Sequence, residues 1–189
     1  MGEGLPRIHE TDFCAKIAES ANLFLANTDS PFARAAIEGY GSDAARRKRK
    51  DLRFYDHNDQ LILTGEVRLP GASEGDSPYG PLADDASRKA ENARVQYFFT
   101  WNVNTFVLWD RSRWNVPLLE RRVREWPLGR HLRDSVDVAR PENLEFIRSR
   151  FFPKLLLDLA RIYRGLEPDW PMSPTTFSSA RLMQACLGP

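Results

Sequence analysis

The chain has 189 residues, 42% of them hydrophobic, which is enough for one well-packed core and too few for two domains of ordinary size. Lys and Arg number 27 against 26 Asp and Glu, so the net charge of +1 excludes the global positive field of a dedicated nucleic-acid coat protein, and any basic surface must be local. The two cysteines, Cys14 and Cys186, form no CxxC pair and the three histidines show no zinc spacing, which predicts free thiols in a reducing compartment. The opening segment MGEGLPRIHETDF lacks an apolar signal core, and no apolar run reaches the ~20 residues that span a bilayer. A cytoplasmic protein with no membrane partner is therefore expected.

From His9 to about Asn27, the apolar residues Phe13, Ile17, Ala21, Phe24 and Leu25 recur at helical steps and predict an amphipathic helix. A second, shorter helix is expected over Phe32 to Glu38, stopped by Gly39-Tyr40-Gly41-Ser42. The basic run Arg46-Arg47-Lys48-Arg49-Lys50 follows. Leu52 to Tyr55 and Leu61 to Leu69 alternate around His57-Asn58-Asp59-Gln60 and read as a β-hairpin. Pro70 to Pro81 is too rich in Pro and Gly for regular structure. Asp84 and Asp85 are expected to cap a helix running to about Ala93, with Ala86, Ala90 and Ala93 as a smooth packing face. Val95 to Trp101 and Phe106 to Trp109 predict two strands whose Phe98, Phe99, Trp101 and Trp109 belong in the core. Beyond Arg111 an arginine-rich segment is expected to be helical. A final helix from about Pro141 to Tyr163 is expected to kink or divide at Pro153.

If His57 to Gln60 is a four-residue loop, Asp56 pairs with Leu61 and Asp51 lies opposite Glu66. Alternation then assigns Leu52, Phe54, Leu61, Leu63, Val67 and Leu69 to one face. Asp51, Arg53, Tyr55, Ile62, Thr64, Glu66 and Arg68 take the other. Two facing carboxylates repel unless a cation lies between them, and Mg²⁺ prefers oxygen ligands. The alternative is a solvated ladder of cross-strand ion pairs. The basic run 46–50 likewise admits a solvated loop, a nuclear-localisation-like patch or a contact for the DNA backbone. Arg121, Arg122, Arg124, Arg130 and Arg133 could line a phosphate track or serve only solubility.

Asp51, fourteen intervening residues, then Glu66-Val67-Arg68 on the next strand, with a helix before and a helix after, resembles the PD-(D/E)xK nuclease superfamily over roughly residues 10 to 110. The resemblance implies an α/β fold, a central mixed β-sheet flanked by helices with a restriction-endonuclease-like core over residues 1–140. Residues 141–189 would be a helical extension leading to a further domain. It implies Asp51 and Glu66 as ligands of Mg²⁺ (or Mn²⁺), with Glu10 as a further acidic ligand from the first helix. Arg68 stands where the family places its catalytic lysine. Arginine can clamp phosphate but cannot accept a proton, and Lys89 on the next helix could take the lysine's place. DNA would be the substrate, with Arg46, Arg47, Lys48, Arg49 and Lys50 on its backbone. The run Gly65 to Gly71, the Ser-Pro-Tyr loop and Trp101-Asn102 also resemble the front of restriction-modification enzymes that carry an adenine methyltransferase domain. The expected activity is metal-dependent DNA cleavage; the alternative is an inactive DNA-binding or interaction module on the same fold.

Overall fold

Strand-forming segments and helices alternate so that each apolar face meets another. The computed structural model describes residues 7–37, 52–72 and 77–168. Helix α1 (Glu10–Leu25) precedes strands β1 (Arg34–Ile37), β2 (Leu52–Tyr55) and β3 (Leu61–Val67). Helix α2 (Pro81–Ala93) leads to β4 (Tyr97–Trp101), β5 (Thr105–Asp110) and β6 (Arg122–Pro127), and the short helices α3 (Ser135–Ala139) and α4 (Pro141–Phe146) precede α5 (Phe152–Tyr163). The six strands form one mixed sheet in chain order. All neighbours are antiparallel except β3 and β4, which are parallel because α2 carries the chain back between them.

One face of the sheet packs on α1 and α5, the other on α2. The α1 stripe Phe13, Ile17, Ala21 and Leu25 repeats every four residues and joins Leu52, Phe54, Leu63, Phe99 and Trp101 in the larger core cluster. Trp101 is central there, with ring centroids 5.2 Å from Phe13 and 5.4 Å from Phe152. Phe151, Phe152, Leu155, Leu156 and Leu159 belong to the same cluster, so the helices from Pro141 to Tyr163 form part of one core with the sheet. On the other face, α2 presents Ala83, Ala86 and Ala90 to Phe98, Val107 and Trp109. Small side chains let that helix lie close to the strands. No helix among the described residues is long and apolar enough to cross a membrane.

The α/β class and the mixed sheet flanked by helices agree with the sequence; several local expectations do not. Residues 34–37 form strand β1, not part of a second helix. Four ordered residues are too few to offset helix nucleation, whereas pairing with β2 satisfies one side of the strand. The Asn22 side chain satisfies Ala35 on the outer side, accepting from its N–H at 2.7 Å and donating to its carbonyl at 3.0 Å. Helix α2 starts at Pro81, so Asp84 lies in its first turn and neither Asp84 nor Asp85 is the cap. The arginine-rich segment yields a short 3₁₀ turn, Leu118–Arg121, and then the edge strand β6, not a helix. Pairing of Arg124 with Leu108 and Glu125 with Val107 outweighs the helical propensity of arginine. The final helix is divided as expected, by a π turn at Ile147–Phe151 just before Pro153, whose missing N–H leaves a carbonyl without its usual partner.

The β2–β3 register is Leu52↔Gly65, Arg53↔Thr64 and Phe54↔Leu63, as alternation predicts. It shifts between Phe54 and Tyr55, so Leu61 pairs with Tyr55 and not with Asp56. The irregularity moves Leu61 to the α2 face and Ile62 to the larger core, reversing their expected places. Asp56 instead organises the turn, accepting at 2.8 Å from the backbone N–H groups of both Asn58 and Gln60.

Gly65 is required where β3 passes beneath Phe99. A Cβ there would lie 2.3 Å from the Phe99 carbonyl oxygen and 2.4 Å from a carbon of its ring. Gly65→Ala is therefore expected to lower stability by about 1–3 kcal/mol through overpacking. A fall in the urea midpoint checks this; an unchanged midpoint would mean that β3 and β4 can separate without penalty.

Candidate active site

Strand alternation turns Glu66 toward α2, one residue from the end of β3, where it pairs with Thr100 of β4. Its side chain is only 2% exposed, so the carboxylate is held almost wholly away from solvent. Lys89 projects from α2, beside Ala86 and Ala90, and its Nζ donates to Glu66 Oε1. Arg68 follows β3 and extends the ladder, its backbone N–H donating to the Trp101 carbonyl at 2.9 Å. Its Nη1 donates to Glu10 Oε1 at 3.0 Å and to the Val67 carbonyl at 3.0 Å, and approaches Glu66 Oε2 at 3.4 Å. Glu10 is the first residue of α1.

Burying a carboxylate without partners costs several kcal/mol, so Glu66 requires cations next to it. Lys89 and Arg68 supply them, one to each oxygen. With Glu10, the quartet carries two negative and two positive charges, and it draws on α1, β3 and α2 together. A solvated ladder on an open sheet face does not describe it, because α2 covers Glu66. Thr64, two residues earlier on the same face and 1% exposed, has a hydroxyl with no hydrogen-bond partner among the described residues.

The two carboxylates are hard oxygen donors of the kind Mg²⁺ takes, and that ion commonly uses one or two carboxylates with water and substrate phosphate. Among the described residues no three His, Cys, Asp or Glu side chains gather as a metal-ligand group. Glu10 meets Arg68, so its immediate role is to hold that guanidinium.

Of the residues singled out by sequence, Glu10, Glu66, Arg68 and Lys89 come together. Asp51 and the run Arg46, Arg47, Lys48, Arg49 and Lys50 lie outside the described residues. Glu19 is elsewhere, 65% exposed and paired with Arg148 at 3.3 Å. The arginine track divides. Arg121 and Arg122 lie by the edge strand β6, where Arg121 donates to the Val116 and Trp114 carbonyls at 3.0 and 2.9 Å. Arg130 and Arg133 lie on the loop after β6, near the start of α1, whose preceding Ile8 N–H donates to the Ser135 carbonyl.

A second polar cluster on the α2 face was not legible in the sequence. The chain of pairs Glu66↔Thr100, Thr100↔Val107 and Val107↔Glu125 sets Glu125 level with Glu66 across the sheet. The Tyr79 hydroxyl and Arg122 Nη1 both donate to Glu125 Oε1. The Tyr79 ring stands edge-on to Trp109 at 5.9 Å. Only the alternation of Val123 and Glu125 with Arg124 and Trp126 could have revealed the strand that carries Glu125.

No family model, curated protein or solved structure matches the chain.

Burial and the Glu125 carboxylate push the Tyr79 hydroxyl up to about 12 from 10.0. Because the folded value lies above the unfolded one, the contribution of protonated Tyr79 to stability is complete below pH 10.0 and is lost as pH rises through about 12. Ultraviolet difference absorbance of wild type against Tyr79→Phe should show this phenolate forming near pH 12, and Glu125→Gln should lower that midpoint. A Tyr79 midpoint at the ordinary value would contradict the contact.

Proposed function

We propose that the chain is a metal-dependent DNA endonuclease domain in which Lys89 of α2 stands in for the lysine that Arg68 replaces on the strand. The observation that carries this reading is the contact of Lys89 Nζ with the buried Glu66 carboxylate. The order of helix, antiparallel strands, helix and a fourth strand parallel to β3 supports it, since the resemblance to PD-(D/E)xK nucleases rests on that order. Asp51, the other acidic residue of that resemblance, lies outside the described residues. Were Asp51 a ligand, as the resemblance implies, its carboxylate with those of Glu66 and Glu10 would favour a divalent cation.

On this reading Glu66 and Asp51 hold Mg²⁺ or Mn²⁺, which when bound neutralises phosphate charge and lowers the pKa of water. Lys89 orients the attacking water and can lose a proton, which a guanidinium cannot. Arg68, held by Glu10 and the Val67 carbonyl, places a fixed positive charge where negative charge builds on the phosphate. Glu10 is a positioning residue for Arg68, and it becomes a metal ligand only if that guanidinium moves away. The setting would be restriction-modification or phage defence, with a methyltransferase domain or subunit as partner.

A second reading is favoured by the same quartet: each oxygen of Glu66 already faces a cation, as in a structural ion-pair network of an inactive DNA-binding module. Nicking of plasmid DNA with Mg²⁺ or Mn²⁺ separates the two. Glu66→Gln should abolish nicking, and Lys89→Ala should lower it by about 10²–10⁴-fold. Lys89→Arg, which keeps the charge and the fold, should be nearly as damaging, whereas Arg68→Ala should be milder. Absence of metal-dependent nicking by wild type, with Arg68→Lys awakening none, would leave the inactive module.

A further inference from the structure

Among the described residues, chain connectivity brings the segment that follows β6 near the proposed site. Arg68 is three residues from Gly71, whose φ of +81° lets it turn tightly against the segment after β6. A Cβ on Gly71 would meet Asp134 Cβ at 3.0 Å and the Arg133 carbonyl oxygen at 3.1 Å. Three extended residues span at most about 11 Å, so the Arg133 backbone lies roughly within 15 Å of that of Arg68. At one phosphate per ~3.4 Å of axis on each strand, that is about four phosphates.

This segment is built to hold its shape. Leu128 and Leu132 anchor it in the core at 2% and 4% exposure. Between them, Asn104 clamps it from the β4–β5 turn: its Oδ1 accepts from the Leu132 N–H, its Nδ2 donates to the Leu132 carbonyl, and its own carbonyl accepts from the Leu128 N–H, all at 2.8 Å. The exposed residues on this frame are Gly129, Arg130, His131, Arg133 and Asp134, the last with its carboxylate turned to the Val136 and Asp137 N–H groups. The Arg130 guanidinium stacks 3.8 Å over the Phe146 ring and donates to Asn143 Oδ1 at 3.1 Å. Arg133 Nε donates to Asp137 Oδ2 at 3.0 Å, while the Arg133 side chain stays 74% exposed and its Nη groups have no partner among the described residues. Asp137 also receives Arg140 at 3.3 Å, so one carboxylate fixes two guanidinium groups, while Asp134 adds a second negative charge near Arg133.

We infer that the loop Gly129–Asp134 is a DNA-backbone clamp flanking the Glu66 site, with Arg130 and Arg133 as its phosphate contacts. The inference rests on the proposed function for its substrate class but not on hydrolysis. Stacking and pairing hold both guanidinium groups in place before DNA arrives, so little side-chain entropy is lost on contact. The clamp reads charge and not sequence. Arg121 lies apart from it, committed to two carbonyls of its own loop.

The test is a salt titration of binding to a mixed-sequence duplex by the full chain carrying Glu66→Gln, in parallel with plasmid nicking by chains that retain Glu66. Arg130→Ser with Arg133→Ser should weaken binding equally for unrelated sequences and flatten the log–log salt slope by about 1.8. Arg130→Lys with Arg133→Lys, which preserves charge, should restore most of the slope, and urea midpoints check that all variants fold. If the serine variants bind with an unchanged slope, the clamp is wrong even where wild type nicks DNA. If wild type never nicks but binds with a slope that these arginines set, the clamp stands and the nuclease reading falls. Absence of DNA binding by the parent chain, or its capture by an acidic protein surface instead, overturns the clamp.

Discussion

A carboxylate buried beneath a helix is the constraint around which the rest of this site is arranged. Glu66 is 1% exposed, and a charge so placed is tolerable only with cations in contact and held there. Lys89 and Arg68 meet that demand from two directions, which ties the docking of α2 on the sheet to the end of β3. Arg68 in turn meets Glu10, so the start of α1 is drawn into the same balance. Exchanging the four residues for apolar ones would remove the need for their pairing. Such networks contribute little net stability, because the cost of desolvating the charges offsets most of what their pairing returns.

The packing allows this polar group to exist without disrupting the core. Ala83, Ala86 and Ala90 bring α2 close to β3 and β4, and Lys89 reaches Glu66 from the margin of that contact, with its own side chain 21% exposed. The aliphatic stem of a lysine can cover apolar surface while its ammonium meets the carboxylate. On the opposite face the Trp101 cluster is mostly apolar, with the Trp101 indole N–H donated to the Val103 carbonyl at 3.1 Å and the Trp126 indole N–H to the buried Asp158 carboxylate at 2.8 Å. The sheet thus separates a larger aromatic core, with the carboxylate of Asp158 bound to Trp126, from a face where several charges gather at one end.

How much of this could be read in advance depended on whether a local pattern had one explanation or two. Alternation in Leu52–Phe54 and Leu63–Val67 had one, because only one register buries Leu52, Phe54, Leu63 and Val67 together, and that register formed. The stripe of α1 likewise distinguished Glu10 from Glu19. Residues 32–38 had two explanations. Ala35 and Ala36 favour a helix locally, and the Asn22 amide that satisfies the outer side of β1 is distant in sequence. Arg122 to Trp126 is equally ambiguous: arginines suit an exposed helix or an edge strand, and pairing with β5 decided it. The bulge at Tyr55 was hidden because the Asp56 side chain competes for the turn N–H groups, a local hydrogen-bond choice that apolar patterning does not report.

Arginine at position 68 and lysine at position 89 suggest a division of labour that a single strand lysine could not achieve. The planar guanidinium of Arg68 is engaged at once by Glu10 and the Val67 carbonyl, which fixes its direction along the strand end. A group so held suits a task needing a constant position, such as steadying a phosphate. Lys89 has a compact charge on a flexible stem and is anchored at its head by Glu66. On the proposed reading it would shift with the carboxylate when a cation enters. Since the fixed group belongs to the sheet and the adjustable one to α2, the geometry between them depends on how α2 sits on β3 and β4. The alanine face and Gly65 would then serve the site as much as the core: one sets the height of the helix, the other the closeness of the two strands beneath it.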